Sequence, residues 1–472
     1  MTKYFDIHNH LFNKHFLAKE LLYRLMKEFK KIITDQTTSE RDIRSIVNKV
    51  QNAITAMKRI SYALKVFGMN NSIAIYEELD KIYNGEFILT PLTFDLTYCF
   101  APTPDRDGNI TREPELKSVF ETEMQEVFEE LEQGTRQLSR DYTSAASEEE
   151  NELWEEYNDV KAQFLKDAAE LHLQDTENIR LMEKDRGIGD LPDIFDGFGE
   201  QIKQITDLKN HPDYKDMIYP FLAVDPRRPG ILDYARNNVG KGKLFAGIKL
   251  YCPNGYSPTD PLLFGNNNDR DGLYAFCEDN GIPVTAHNSD GGFATLANSV
   301  DINGLIHING KLYQSNNERV IFTKKVFETN GVYERAITLN HPLIWEKVVE
   351  KYPGLILNLA HFGGGKQLNA AIDDPDNETL WCNRIIALVK NPDYNVYTDV
   401  SCFTEFDILK KFYKSPVFQE IKHRVLYGSD YTLLLLFEND FKNNVKQFKE
   451  LFGNDFLTIA GTNPAEFLKY VI

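Results

Sequence analysis

Eight short apolar runs, each bounded by turn residues and separated by stretches of helical periodicity, constrain this chain more than any other feature. They cover residues 4–10, 87–96, 218–224, 245–251, 282–287, 355–361, 395–400 and 425–430. Strands that alternate with helices imply parallel β/α units, and eight such units match a closed (β/α)8 TIM barrel of the α/β class. A doubly wound open sheet is the structural alternative. At 472 residues the chain exceeds the roughly 250 of one barrel, and the excess falls in three connections.

The first insertion, about residues 11–86, carries helical periodicity at 16–33, 40–67 and 73–83. The second, about 99–211, also reads as helical, at 115–138 and 148–173. It holds most of the acidity, with 16 acidic against 3 basic residues between 113 and 160. The third, about 288–340, begins with a polar stretch and ends near Asn340, where His341-Pro342 opens a helix. The whole chain, 1–472, is thus expected to be a single barrel with large, mainly helical insertions. Long loops at the C-terminal ends of barrel strands build and cover active sites, so substrate choice should reside in these insertions.

Charge and cysteine usage narrow the class. A formal net charge of −18 with no basic stripe excludes a nucleic-acid partner, because phosphate binding needs a Lys/Arg footprint. No run of apolar residues is long enough to span a membrane. The five cysteines are widely spaced and odd in number, which favours reduced thiols in a cytoplasmic protein. The opening MTKYFDIHNH carries no apolar signal region.

The sharpest chemical feature is His8-Asn9-His10 at the end of the first run. Residues two apart on a strand face the same side, so both imidazoles point into the barrel mouth and can share one metal ion. Three further runs end in a metal-competent or catalytic residue: His287 in IPVTAH, His361 in LILNLAH and Asp430 in VLYGSD. Four strand ends therefore converge on the face that carries active sites in this architecture.

Lys249, in GIKLY, ends the fourth run, followed by Tyr251 as a weak candidate for substrate contact. Arg227 and Arg228 could hold a substrate carboxylate or form ion pairs. His341 and His307 lie on the third insertion, as loop or helix-start residues or as substrate contacts. Asp6 shares the parity of His8 and His10 and could orient a ligand histidine or pair within the interior. Asp399 and Ser401 end the seventh run and could line the pocket. Cys252 and Cys402, with no paired base evident, read as small packed residues. Gly363-Gly364-Gly365 permits close backbone approach by a substrate, and no G-K-[ST] follows to make it a phosphate loop.

Several blocks occur in order: FDIHNH, GIKLY, IPVTAHNSD, HPLIWEKVVEKYPGLILNLAHFGGG, VYTDVS, YGSDY and GTNPAEFL. In these the sequence resembles the amidohydrolase superfamily, in the branch of metal-dependent hydrolases and decarboxylases that includes aminocarboxymuconate-semialdehyde decarboxylase. The resemblance implies that His8, His10, His287 and Asp430 bind one divalent metal, zinc by preference, with Asp430 also the general base toward an activated water. It implies that His361 orients the nucleophile or polarises the substrate in a one-metal site, or is a ligand in a two-metal site. Lys249 could be a carboxylated bridge between two metals, as in dihydroorotase, a point charge for a substrate carboxylate, or structural.

The leading expectation is a metal-dependent hydrolase acting on an amide, lactam, ester or lactone of a small molecule. The alternative is a non-oxidative metal-dependent decarboxylase of a carboxylated small molecule. A non-catalytic binding protein on a decayed barrel is a third reading, and homodimerisation is expected from the behaviour of similar barrels.

Overall fold

The computed structural model describes residues 3–13, 43–100, 153, 155–164, 166–167, 196–266, 270–326, 328–438 and 440–472. The helices expected at 16–33 and 115–138 lie outside the described residues, as does most of the acidic segment. All eight apolar runs contain a strand: β1 (Tyr4–Asn9), β2 (Phe87–Pro91), β3 (Phe221–Ala223), β4 (Gly247–Leu250), β5 (Val284–Ser289), β8 (Leu357–Gly363), β9 (Val396–Asp399) and β10 (Val425–Leu426). Two more, β6 (Ser299–Ile308) and β7 (Lys311–Ile321), lie in the third insertion.

The eight strands close on themselves. Six pair in parallel in the order β10-β9-β8-β5-β4-β3, and β1 pairs in parallel with β2. Parallel bridges Leu89↔Ile218 and Leu92↔Phe221 join β2 to the β3 edge. The other seam is made by Ile7 N donating to Tyr427 O at 3.2 Å and Asp430 N to His8 O at 2.6 Å. The fold is therefore a (β/α)8 barrel, and no edge remains to support the open-sheet alternative.

Both faces of these strands are covered, which is why they read as continuous apolar runs. β3, β4, β8, β9 and β10 are buried at every position. Outside them pack α4 (Ile231–Asn238), α5 (Leu273–Asp279), α7 (Pro342–Lys351), α8 (Trp381–Lys390) and α9 (Phe441–Phe452). α7 starts where His341-Pro342 predicts, with His341 Nδ1 accepting from Leu343 N.

Between β1 and β2 lie α1 (Ile43–Phe67) and α2 (Ser72–Tyr83). α1 buries Ile54, Met57, Ile60, Leu64 and Phe67 at helical spacing and packs on the 434–436 turn. α3 (Asp196–Asn210) ends the second insertion. Its Gln204 accepts from Asn13 and Ser72, and its Gln201 accepts from Phe94 N at 2.6 Å, so it backs the mouth of the barrel.

The third insertion differs from the polar loop expected over its first part. β6 and β7 form an antiparallel ribbon closed at Asn309-Gly310, both in the left-handed region (φ 50° and 79°). The ribbon buries Val300, Ile302 and Ile306 against α6 (Gly331–Asn340), while β7 is largely exposed. Buried Arg335 of α6 donates to Ala297 O and Lys324 O, fixing both ends of the ribbon.

Candidate metal centre

The C-terminal ends of the strands surround a cavity of about 500 Å³ lined by His8, His10, Lys249, His287, His361 and Asp430. Apolar walls rise above this floor: Phe94 with Phe293 and Leu433 in one cluster, Phe403 and Leu436 elsewhere on the lining, and half-exposed Phe437.

Among the described residues His8, His10 and Asp430 form one of two groups that bring three ligand-capable atoms together, the other being His8, His361 and Asp399. His10 Nε2 lies 3.3 Å and His8 Nε2 3.7 Å from Asp430 Oδ1, and the donor atoms of these three residues all lie within 4.8 Å of one another. His361 stands beside His8, with ring centroids 4.5 Å apart, and His287 beside His361 at 4.7 Å.

Second hydrogen bonds orient each ring. His10 Nδ1 meets Leu92 O at 2.8 Å and His8 Nδ1 meets Asp399 Oδ2 at 3.0 Å, which leaves both Nε2 atoms as lone pairs toward the cavity. His287 is turned the other way, with Nε2 on Gly291 O at 3.0 Å and the ring stacked on Tyr251. Its buried Nδ1 has no hydrogen-bond partner among the described residues, and neither has Asp430 Oδ1. Buried polar atoms are normally paired. The orphaned Asp430 Oδ1 beside the His8 and His10 lone pairs forms a donor set that a divalent cation satisfies, so these three residues fit a metal; His287, beside His361, stands outside that group, with its own orphaned Nδ1 on the cavity lining.

Electrostatics agree with that fit. Burial and the charge of Lys249 push His8 down to about 3, keeping it neutral and able to ligate. Burial opposes ionisation of Asp430, but the imidazoles that face it, His10 first and then His8 and His361, hold its carboxyl below the usual range. Lys249 Nζ stands 3.4 Å from His8 Nε2, and burial pushes it down to about 8 against the longer-range pull of Asp399 and Asp430.

Local backbone geometry at these strand ends is strained. His361, Phe362, Cys402, Asp430 and Thr432 all have φ between 49° and 69°, a conformation costing non-glycine residues about 1–3 kcal/mol each. One glycine is required by contact: a Cβ on Gly428 would lie 2.4 Å from His8 Cβ. Only glycine lets the chain before Asp430 approach the first ligand strand so closely.

Other sequence candidates lie elsewhere. Arg227 and Arg228 do not line the cavity. Arg227 pairs bidentately with Asp225 (2.8 and 2.6 Å), and buried Arg228 with Asp95 (2.6 and 3.0 Å). These pairs hold the chain around 95 and 254 against β3, because burying either guanidinium without a carboxylate would be too costly. His341 also misses the cavity and stacks on His307, with centroids 3.8 Å apart and planes 7° apart. Tyr251 does line it, and its hydroxyl accepts from Phe293 N. Asp6 points below the site and reaches no histidine ring; it accepts from His8 N, Ser429 and Tyr83 OH.

The role of Asp399 was not visible in the sequence. Its carboxylate accepts from His8 Nδ1, Asn358 Nδ2, His361 N and Ser401 N, and from the Ser401 hydroxyl. The apolar walls were also unforeseen: of the named wall residues only Phe293 comes from one of the three long insertions, and the others follow or end barrel strands.

Residues 194–468, more than half of the chain, match the amidohydrolase family model. No curated relative matches the sequence. Among solved structures, a 2,6-dihydroxybenzoate decarboxylase from Rhizobium is similar at 16% identity and a TM-score of 0.34, covering 57% of this chain and 75% of that one. A dihydroxybenzoic acid decarboxylase from Polaromonas, with bound manganese and an inhibitor, gives the same values. A putative amidohydrolase from Staphylococcus aureus is 14% identical with a TM-score of 0.32, covering 60% and 83%.

Proposed function

The chain belongs to the amidohydrolase family, whose members are metal-dependent enzymes acting on small molecules, and from that premise we propose that this cavity performs non-oxidative decarboxylation of a carboxylated small molecule. His8, His10, His287 and Asp430 would hold one divalent ion, with zinc favoured by three imidazoles and one carboxylate. When bound, the ion supplies Lewis-acid polarisation of the substrate's oxygen atoms. Residues 1–472 are read as one catalytic barrel, with the insertions at 11–86, 99–211 and 288–340 shaping access.

The observation that carries this reading is Lys249. It is a buried cation on the cavity floor, balanced among the described residues only at longer range, by Asp399 and Asp430. A substrate carboxylate entering this apolar-walled space loses water, and Lys249 offsets that loss as a point charge. His361 lines the same floor; its ring can take a proton from water and pass it to the carbon that loses carbon dioxide, where it replaces the carboxyl group, the hydroxide left behind being taken up by carbon dioxide as bicarbonate. Lys249 as a carboxylated bridge is the competing reading, since Nζ lies 3.4 Å from His8 Nε2.

Hydrolysis of a C–N or C–O bond is the second reading. It is favoured by the place of Asp430 on the cavity floor, where with Oδ1 in the donor set the second carboxylate oxygen would be the base toward water. One experiment separates the two. Metal-loaded protein is screened against aromatic and unsaturated carboxylic acids, lactones and amides in ¹⁸O-water, with carbon dioxide and product mass recorded. Release of carbon dioxide without ¹⁸O in the organic product supports decarboxylation; ¹⁸O incorporation without carbon dioxide overturns it in favour of hydrolysis.

A further inference from the structure

One contact in the cavity wall belongs to neither the metal donor set nor the substrate floor. Ser401 Oγ lies 2.9 Å from His361 Nδ1 and 3.2 Å from His8 Nδ1, and it makes a short hydrogen bond to Asp399 Oδ1. All four groups are buried.

Proton bookkeeping fixes the directions of these bonds. Asp399 receives three donors that can only donate: His361 N on Oδ1 at 2.9 Å, Ser401 N on Oδ1 at 3.2 Å, and Asn358 Nδ2 on Oδ2 at 2.7 Å. Both of its oxygens are thus acceptors. The single hydroxyl proton of Ser401 is then committed to Asp399 Oδ1, the nearest acceptor. What remains on Ser401 Oγ is lone pairs, so a ring nitrogen 2.9 Å away meets it favourably only by donating.

We propose that Ser401 is a positioning residue that fixes His361 as its Nδ1–H tautomer, so that Nε2 faces the cavity as a bare proton acceptor. Asp399 does the same for His8 directly, at 3.0 Å. One carboxylate therefore sets the tautomers of two imidazoles, one straight through and one relayed by a hydroxyl.

The division of labour follows from geometry. His8 Nε2 looks toward Asp430 Oδ1 and Lys249, the metal side of the floor. His361 stands between His8 and His287, and its backbone is held twice, by its φ of 66° and by the bond from its N–H to Asp399. With backbone and tautomer both set, the ring presents one defined nitrogen to substrate. A His361 free to exchange tautomers would present an N–H to the cavity for part of the time and could not accept a proton there. The functional consequence rests on the catalytic reading above, whereas the tautomer assignment rests on the hydrogen bonds alone.

The test reads the tautomer directly. Zinc-loaded protein labelled with ¹⁵N-histidine is examined by long-range ¹H–¹⁵N correlation spectra, with His361 assigned by loss of its signals in His361→Gln. The expected pattern is a protonated Nδ1 and an unprotonated Nε2 at His361. Ser401→Ala should abolish that preference, and Ser401→Thr, which keeps the hydroxyl, should restore it. On any substrate that is turned over, Ser401→Ala should lower kcat by about 100-fold with KM changed less than about 3-fold, and Ser401→Thr should recover most of it. An Nε2–H pattern in the wild-type protein, or an unchanged pattern in Ser401→Ala, overturns the proposal. If Ser401→Ala does not fold, the wild-type spectrum alone decides. A correct tautomer in a protein that decarboxylates nothing would remove the catalytic reading and leave this assignment standing.

Discussion

Asp6 accepts hydrogen bonds from both the backbone N–H and the hydroxyl of Ser429, at 2.9 and 2.6 Å, one residue before Asp430. The same carboxylate takes Tyr83 OH at 2.9 Å and His8 N at 3.3 Å, so the two strand ends that bring His8 and Asp430 together share one buried acceptor. Asp6→Ala should leave these donors unsatisfied and destabilise the fold by about 3 kcal/mol, with weaker zinc retention as Asp430 loses its support. Urea unfolding together with metal analysis after dialysis checks this. A change below about 1 kcal/mol with full metal content would show that the strand ends are held by other means.

Lys249→Met keeps the stem and removes the charge. Because Nζ faces His8, zinc should remain at one per chain, while KM for a carboxylated substrate rises about 30- to 100-fold, equivalent to roughly 2–3 kcal/mol for a lost charged hydrogen bond. Elemental analysis and steady-state kinetics on wild type and variant provide the comparison. Loss of metal on substitution, with a carbon dioxide adduct on the wild-type lysine, would instead mark Lys249 as a bridge.

Much of the barrel and its floor was legible because the physics there is local and periodic. A strand buried on both faces must be apolar along its length, so the eight runs were visible, and parity alone placed His8 and His10 together. Failures came where partners are distant in sequence. Nothing near Arg228 announces Asp95, 133 positions away, and nothing near Ser401 announces His8. The ribbon was a different matter: Asn309-Gly310 between alternating Val300, Ile302, Ile306 and Leu312 is a strong local hairpin signal. The polar residues of the exposed β7 masked it.

Arg228→Met should therefore act on stability rather than on substrate recognition. It leaves the buried Asp95 carboxylate without its bidentate partner, at a cost of about 3–5 kcal/mol. KM measured on the folded fraction should stay within about twofold, the kinetic sign of no uniform binding contribution. Thermal unfolding and kinetics at 20 °C below the transition test both halves, and a selective rise in KM would return Arg228 to the substrate.

Acid should weaken the docking of the ribbon through His341. Burial, and then the facing His307, push His341 down to about 3. A histidine lowered in the folded state contributes stability that is complete above its unfolded pKa of about 6.5 and is lost as pH falls toward 3. Between pH 7.5 and pH 5 the wild type should lose about 2 kcal/mol more than His341→Asn, which keeps a capping side chain for α7. Denaturant midpoints at the two pH values measure the difference. Parallel losses in both proteins would assign the pH dependence elsewhere.

The turn after β5 has a consequence for how such a cavity can diversify. Gly291 O grips His287, Gly292 sits where a Cβ would strike Tyr251 OH, and Phe293 supplies a wall and donates its N–H to that hydroxyl. The hold on His287 and the shape of the pocket are thus written into three consecutive codons. A library randomised at 291–293 will vary the support of His287 and the wall at Phe293 together, whereas Phe403 and Leu436, outside that aromatic cluster, offer selection a surface to reshape without editing the grip on His287.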